Sequence, residues 1–256
     1  IVTVTASGGC VSTARATVTV NSRPTASVSG GSSVCLGSST TVTASGGGTY
    51  LWSTGATTAA ITVAPSVNTT YTVTVTNLAG CTATAARTIT VNTLPTPSVT
   101  GTNTICNGQS TTLTASGGVS YLWNTAATTA SITVSPTTTT TYTVTVTAAN
   151  GCTATANRTV TVNPKPTVSY TGSTVICIGD NTTLSPSSGG TWTSSNPSIA
   201  SISNAGTVTG VSPGQATFTF TATSTGCVSL VSAPVTVRSV PQVIIDFNGS
   251  ICVTDT

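Results

Sequence analysis

The sequence predicts an all-β protein built as a tandem array of small domains, and three observations carry that prediction. Eight cysteines stand on a ladder of alternating steps. From Cys10 the spacing is 25 to Cys35, 46 to Cys81, 25 to Cys106, 46 to Cys152, 25 to Cys177, 50 to Cys227 and 25 to Cys252. A repeat of about 71 residues with two cysteines in each marks consecutive small domains rather than one large fold. Apolar residues alternate with Thr or Ser at period two, as in Thr72-Val73-Thr74-Val75-Thr76, which is the pattern of half-buried antiparallel strands. Glycine-rich turns interrupt these runs, and no segment carries a helical period.

The elements follow from aligning the repeats on the ladder. One repeat reads SVCLGSSTTVTASGGGTYLWSTGATTAAITVAP and then TTYTVTVTNLAGCTATAARTITVN; the next reads TICNGQSTTLTASGGVSYLWNTAATTASITVSP and then TTYTVTVTAANGCTATANRTVTVN. In the first, strand A is expected near Thr25–Val34, B near Thr40–Ala44 and C near Thr49–Ser53. Strand E follows near Ala60–Val63, F near Tyr71–Thr76 and G near Cys81–Val91. About seven short strands per repeat is what an immunoglobulin-like sandwich requires. Trp52, Trp123 and Trp192 take the strand-C position, and Tyr71 and Tyr142 open strand F, where such folds often keep a tyrosine corner. A single tryptophan inside an alternating strand is expected in the core. The competing reading is a row of rings for stacking on sugars.

These alignments divide the chain into residues 1–21 (the last two strands of a domain), full domains at 23–92, 95–163 and 166–238, and residues 241–256 (the first strand of another). The two ends together lack the middle strands of a domain, so the chain is expected to be an interior piece of a longer array. Proline-marked linkers at 21–24, 92–97, 163–166 and 238–241 predict semi-rigid, extended connections, and the array is expected to form an extended rod. Three full domains would reach on the order of 100 Å, with strands rising about 3.3 Å per residue.

The pattern C-x-G…L/V-T-A-S-G-G…Y-L-W…T-Y-T-V-T-V-T…G-C resembles the Ig-like and PKD-like repeats of very large bacterial surface and secreted proteins, adhesins above all, typical of bacteria with type IX secretion. It covers residues 23–163 well. The third repeat departs from it: WTSSNPSIASISNAGTVTGVSPGQATFTFTAT resembles a bacterial Ig-like group 2 (BIG2) domain, a module of intimin- and invasin-type adhesins. Phe218 and Phe220 stand there in place of the earlier Tyr-x-Val, so no tyrosine corner is expected in that repeat. The resemblance implies a fold and a setting, a bacterial cell surface, and no particular ligand.

Composition excludes several classes of function. The acids are Asp180, Asp246 and Asp255, the bases Lys165, Arg15, Arg23, Arg87, Arg158 and Arg238, and His, Glu and Met do not occur. A net charge of +3 over 256 residues is no electrostatic footprint for nucleic acid. Low charge accompanied by β-patterning and positive mean hydropathy argues against disorder. No apolar run approaches the roughly 20 residues that span a bilayer. Without His or Glu no catalytic triad or dyad assembles, and Asp180 and Asp246 fall in different repeats, too far apart for paired-carboxylate glycosidase chemistry. No catalytic residue, cofactor or metal is therefore expected. The Asp180-Asn181 turn is read as solvated rather than as a calcium ligand, and no cysteines are spaced for zinc.

Regularly spaced cysteines suit an oxidising, extracellular place. The 25-residue step holds two extended strands and a linker, so its ends lie too far apart for a disulfide, which needs Cα atoms within about 7 Å. Pairing across the 46-residue step (Cys35–Cys81, Cys106–Cys152, Cys177–Cys227) is the simple alternative. In an immunoglobulin sandwich, however, Cys35 at the A–B turn and Cys81 at the F–G turn lie at opposite poles. The preferred expectation is bridges between neighbouring domains, Cys35–Cys152 and Cys106–Cys227, with Cys10, Cys81, Cys177 and Cys252 reaching partners elsewhere. Free thiols or interchain bridges remain a third possibility.

Arg15, Arg87 and Arg158 recur at one strand-G position and are expected over an aromatic face, or donating to carbonyls near a domain junction. Gripping an acidic glycan is the functional alternative. Glycosylation sequons occur at Asn68, Asn157, Asn181 and Asn248, as chance predicts in a chain this rich in threonine, and the dense hydroxyls equally permit O-glycosylation. The expected function is a non-catalytic extracellular structural or adhesive array, the stalk of a surface adhesin or the body of a filament. Its expected partners are neighbouring repeats, like chains in a bundle, and a surface glycan or cell-surface target. The alternative is a carbohydrate-binding or spacer array of a secreted polysaccharide-degrading enzyme. Ice binding by Thr-x-Thr arrays needs a flat face, which a twisted sandwich supplies poorly.

Overall fold

The structure is a computed structural model and describes residues 1–242. The described chain is all-β and falls into two compact units, one of Ile1–Pro97, Ser116–Tyr121 and Thr145–Thr155, the other of Ser98–Ala115, Leu122–Val144 and the chain from Ala156 onward.

In the first unit, β1 (Val2–Thr5) and β2 (Val11–Ala14) form an antiparallel hairpin. The first full repeat follows with β3 (Ser27–Gly30), β4 (Ser33–Cys35), β5 (Thr40–Ser45), β6 (Thr49–Trp52), β7 (Ala60–Val63), β8 (Thr69–Thr76) and β9 (Thr82–Asn92). They make two sheets, β3-β5-β7 and β4-β9-β8-β6, the two layers of an immunoglobulin-like sandwich. Between the layers lie Val42, Ala44, Trp52, Ile61, Val63, Tyr71, Val73, Val75 and Ile89, all buried. The alternate threonines point outward and pair across strands, Thr41 with Thr62 at 3.2 Å and Thr70 with Thr88 at 2.8 Å. The alternation is thus a division between core and hydroxylated surface.

Strand A, expected as one element, is two. β3 pairs antiparallel with β5, and β4 pairs parallel with β9, so the chain changes sheets at Gly30-Gly31. Gly30 has φ 116°, and a Cβ there would run into the carbonyl oxygen of Thr41. Only glycine allows that turn of the backbone. Strand F also begins earlier than expected, at Thr69, so Tyr71 lies inside the strand rather than opening it.

The second repeat contributes β10 (Ser98–Thr100), β11 (Thr104–Cys106), β12 (Thr111–Ser116), β13 (Ser120–Trp123), β14 (Ser131–Val134), β15 (Thr140–Thr147) and β16 (Thr153–Asn163). Its strand orders, β10-β12-β14 and β11-β16-β15-β13, match those of the first repeat. Leu113, Trp123, Val144 and Val160 are buried.

The third repeat, in the second unit, consists of β17 (Ser169–Tyr170), β18 (Val175–Cys177), β19 (Asn181–Ser185), β20 (Gly190–Ser194), β21 (Ala200–Ile202), β22 (Thr207–Gly210), β23 (Gly214–Ala216), β24 (Phe218–Ala222) and β25 (Val235–Arg238). Its sheets are β17-β19-β22-β21, β18-β25-β23 and β20-β24. The long strand G of the earlier repeats is replaced, before β25, by an irregular segment that is held to β24 partly through side chains. The amide of Phe218 donates to Ser232 Oγ at 2.9 Å and that of Phe220 to Ser229 Oγ at 3.0 Å, while Ser229 N donates to Phe220 O at 2.8 Å. Phe218 and Phe220 are buried, and Phe220 packs edge-on against Trp192 with ring centroids 5.1 Å apart.

Candidate functional site

The most distinctive chemistry in the chain is its cysteines, and backbone pairing decides where each one points. β4 runs parallel to the end of β9, with Val34 opposite Val91 and Cys35 opposite Asn92. The amide of Leu36 then donates to Asn92 O at 2.9 Å, so Cys35 is held beside the exit from its own domain, where the linker begins. Cys152 sits just before β16, in the turn after β15. Its amide donates to Asn150 Oδ1 at 3.0 Å, and the amide of Ala148 donates to Cys152 O at 2.8 Å. Asn150 also donates from Nδ2 to Thr93 O at 3.1 Å. One asparagine thus shapes the turn that presents Cys152 and grips the linker one residue beyond Asn92, the register partner of Cys35. The two cysteines meet there and are joined by a disulfide with Cα atoms 5.7 Å apart.

The second unit repeats this construction. β11 runs parallel to the end of β16 with Cys106 opposite Asn163, and the amide of Asn107 donates to Asn163 O at 2.9 Å. Cys227 is presented by a turn in which its amide donates to Thr225 Oγ1 at 3.2 Å and the Ala222 amide to Cys227 O at 3.0 Å. A disulfide joins Cys106 to Cys227 with Cα atoms 5.6 Å apart. Both bridges therefore run from the start of one repeat to the F–G turn of the next, spanning 117 and 121 residues.

The alternative pairing within a repeat is absent. Cys81 and Cys177 are free, and Cys106 and Cys152 are each bonded elsewhere, so Cys35–Cys81, Cys106–Cys152 and Cys177–Cys227 do not form. The reason is strand geometry. Cys35 lies at the end of the 11-residue β9 and Cys81 just before its start. A strand of that length separates them by about 35 Å. Cys10 is free and exposed; Cys252 lies outside the described residues. Cys81 repeats the setting of Cys152: its amide donates to Asn77 Oδ1 at 2.9 Å, Asn77 Nδ2 donates to Ser22 O at 2.9 Å, and its thiol lies 3.8 Å from Asn21 O.

Trp52, Trp123 and Trp192 are 2%, 2% and 7% exposed, so none offers a ring face for stacking on a sugar. Their indole N–H groups are used internally, donating to Thr58 O at 2.9 Å, Thr129 O at 3.0 Å and Pro186 O at 3.0 Å. Tyr71 and Tyr142 are also buried. Arg87, opposite Tyr71 in the β8–β9 register, donates to two backbone carbonyls. Its Nη2 donates to Gly30 O at 2.6 Å and its Nε to Gly31 O at 3.2 Å, pinning the point where strand A changes sheets. Arg158 donates to Gly101 O at 2.8 Å in the same way, and Arg15 is exposed.

Asp180 closes a tight turn, accepting from the Cys177 amide at 3.3 Å, and among the described residues no three His, Cys, Asp or Glu side chains gather as a metal site. Of the sequons, Asn68, Asn157 and Asn181 are exposed. Asn68 Oδ1 accepts from the Val91 amide at 2.8 Å and Asn181 Oδ1 from Thr209 Oγ1 at 2.7 Å; Asn248 lies outside the described residues. No described helix is long and apolar enough to cross a membrane.

Sequence reasoning missed the asparagine clamp. The signal was present but irregular: Asn77 precedes its cysteine by four residues and Asn150 by two, so no fixed spacing gives them away.

Strand order, register and core define tandem immunoglobulin-like sandwiches. More narrowly, residues 180–231 match the family model described as the bacterial Ig-like domain (group 2). Among solved structures, the chain is similar to a Ca2+-stabilised adhesin with which an Antarctic bacterium reaches out and binds ice (18% identity, 86% of this chain and 75% of that one, TM-score 0.39). It is also similar to invasin, a bacterial integrin-binding protein (13% identity, 84% of this chain and 59% of that one, TM-score 0.38). A third is the three N-terminal domains of the highly immunogenic outer capsid protein of bacteriophage RB49 (17% identity, 85% and 100%, TM-score 0.33). No curated protein matches.

Proposed function

We propose that this chain belongs to a non-catalytic, extracellular array of Ig-like repeats at a bacterial cell surface, the stalk of a large adhesin or the body of a surface filament. Its domains are 23–92, 95–163 and 166–238, flanked by the partial domains 1–21 and 241–256. One observation carries the reading: disulfides tie each repeat to the next rather than closing within it. Separate binding modules on flexible tethers gain nothing from such bonds, whereas a stalk or filament that must hold its shape in an oxidising medium does. A chain without His or Glu, and with its tryptophans used in the core, supports the structural role over a sugar-binding array.

Immunogold electron microscopy with antibodies to residues 23–238, combined with deletion of the gene, tests it. Label along projections from intact cells, with attachment to surfaces lost in the deletion strain, is the expected result. Antigen released to the medium and co-purifying with polysaccharide-degrading activity overturns it.

A further inference from the structure

The two disulfides overlap rather than follow one another. Cys106 lies inside the loop closed by Cys35–Cys152, and Cys152 lies inside the loop closed by Cys106–Cys227. Each bridge merges two points of the chain into one, Cys35 with Cys152 at the first and Cys106 with Cys227 at the second. Three stretches of backbone then run between the same two bridges. They are 71 residues from Cys35 to Cys106, 46 from Cys106 to Cys152 and 75 from Cys152 to Cys227. The first holds β5 to β10, the second β12 to β15 and the third β16 to β24, so strands of all three repeats are divided among the three lines.

We propose that this overlap is a stretch limiter: pulled from its ends, the chain loads three backbone lines side by side and extends no further between the bridges than the shortest line, the 46 residues from Cys106 to Cys152. The shortest line governs because all three must span the same gap. A pull arriving at Cys35 crosses the first bridge to Cys152, runs back along the backbone to Cys106 and leaves across the second bridge. The middle repeat is thus loaded from its last turn towards its entry, against chain order. When that line is taut, the 71- and 75-residue lines still hold 25 and 29 residues of slack, so neither can be drawn out in full. No line can lengthen between the bridges unless the other two lengthen with it. Independent sandwiches lie in series instead, and the weakest releases its whole contour alone. The 46-residue step of the cysteine ladder thereby acquires a mechanical meaning, since it fixes how far the bridged array yields. This inference deepens the stalk reading and rests on it for its biological meaning, but it is tested on the isolated protein.

Single-molecule stretching of the full chain tests it, with handles on the two chain ends and with Cys10→Ser, Cys81→Ser, Cys177→Ser and Cys252→Ser removing the other thiols. The segments before Cys35 and after Cys227 are common to every sample and cancel in the differences. At roughly 3.4 Å per residue the bridged gap should reach about 160 Å, and the 192 residues from Cys35 to Cys227 about 650 Å once both bridges are reduced. Reducing the tethered, folded protein should therefore lengthen it by about 500 Å. Cys35→Ser with Cys152→Ser leaves the 71-residue line as the limit and should add only about 85 Å; Cys106→Ser with Cys227→Ser leaves the 75-residue line and should add about 100 Å. The reduced chain should lengthen in steps of roughly 200 Å, one repeat at a time, and no step of the bridged chain should be that long. Equal lengths with one bridge and with two, single-bridge variants that stretch as far as the reduced protein, or bridged molecules that release a whole repeat in one step overturn the limiter. Reduction acts on protein already folded, so a variant that fails to fold leaves that measurement standing, and a gain of only about 400 Å there, one loop's worth, also overturns it. Loss of surface labelling in cells, with the length changes intact, would remove the stalk reading and leave the limiter.

Discussion

Removing one bridge should destabilise the two repeats it joins and leave the third untouched. Cys35→Ser with Cys152→Ser opens a loop of 117 residues, and loop-closure entropy puts the loss at about 5 kcal/mol when both repeats unfold together. When the first repeat unfolds while the second stays folded, the loop that closes is shorter. It runs from Cys35 to the linker, about 60 residues, and the loss is about 4 kcal/mol. For domains of this size 1 kcal/mol moves the melting midpoint by about 4–8 °C, so the first repeat should melt roughly 15–30 °C lower. The protein supplies its own reporters, because each repeat has one buried tryptophan. With Trp123→Phe and Trp192→Phe, fluorescence follows Trp52 alone; the corresponding pairs isolate Trp123 or Trp192. Comparing bridged and unbridged proteins in the same background cancels the cost of the Phe substitutions. The Trp52 and Trp123 transitions should fall and the Trp192 transition should not, since Trp192 lies outside the opened loop. Coincident Trp52 melts, agreeing to within about 1 kcal/mol, or an equal drop at Trp192, would refute the reasoning.

Two further outcomes follow from the cysteine and glycine geometry. Alkylating the folded protein should modify Cys10, Cys81 and Cys177 while sparing Cys35, Cys106, Cys152 and Cys227, as read by peptide mapping without reductant. Glycines of similar φ should also differ in cost. Gly48→Ala drives a Cβ into the Thr76 carbonyl and should cost more than about 2 kcal/mol, whereas Gly80→Ala meets open space and should cost about 1 kcal/mol for the left-handed backbone alone. Chemical denaturation of the two variants checks this.

How far the sequence could be read depended on whether the relevant physics was local. Alternation at period two is local, and Trp52, expected in the core, and Val73 of the alternating string are both buried, because successive strand residues face opposite sides wherever the strand goes. The division of strand A was partly legible in Gly30-Gly31, but a glycine pair looks the same in an ordinary turn. What distinguishes it is the Thr41 carbonyl, a contact across 11 residues of chain. Arg87 was expected over an aromatic face or donating to carbonyls near a domain junction, and the sequence named no partner for it. Its carbonyl partners lie 56 and 57 residues away in sequence, at a place that exists only once strand A has changed sheets.

By itself the sequence determined the class of fold: the period in the cysteines, the alternation in the strands and the lack of any helical period are properties of residue order and kind. Only the tertiary structure decided what the cysteines do. A disulfide depends on where two Cα atoms come to lie, and that place is set by the parallel pairing of β4 with the end of β9 and by an asparagine gripping the linker beyond it. Residues 46 apart in the chain thereby finish at opposite ends of one sandwich, and residues 117 apart finish 5.7 Å from each other.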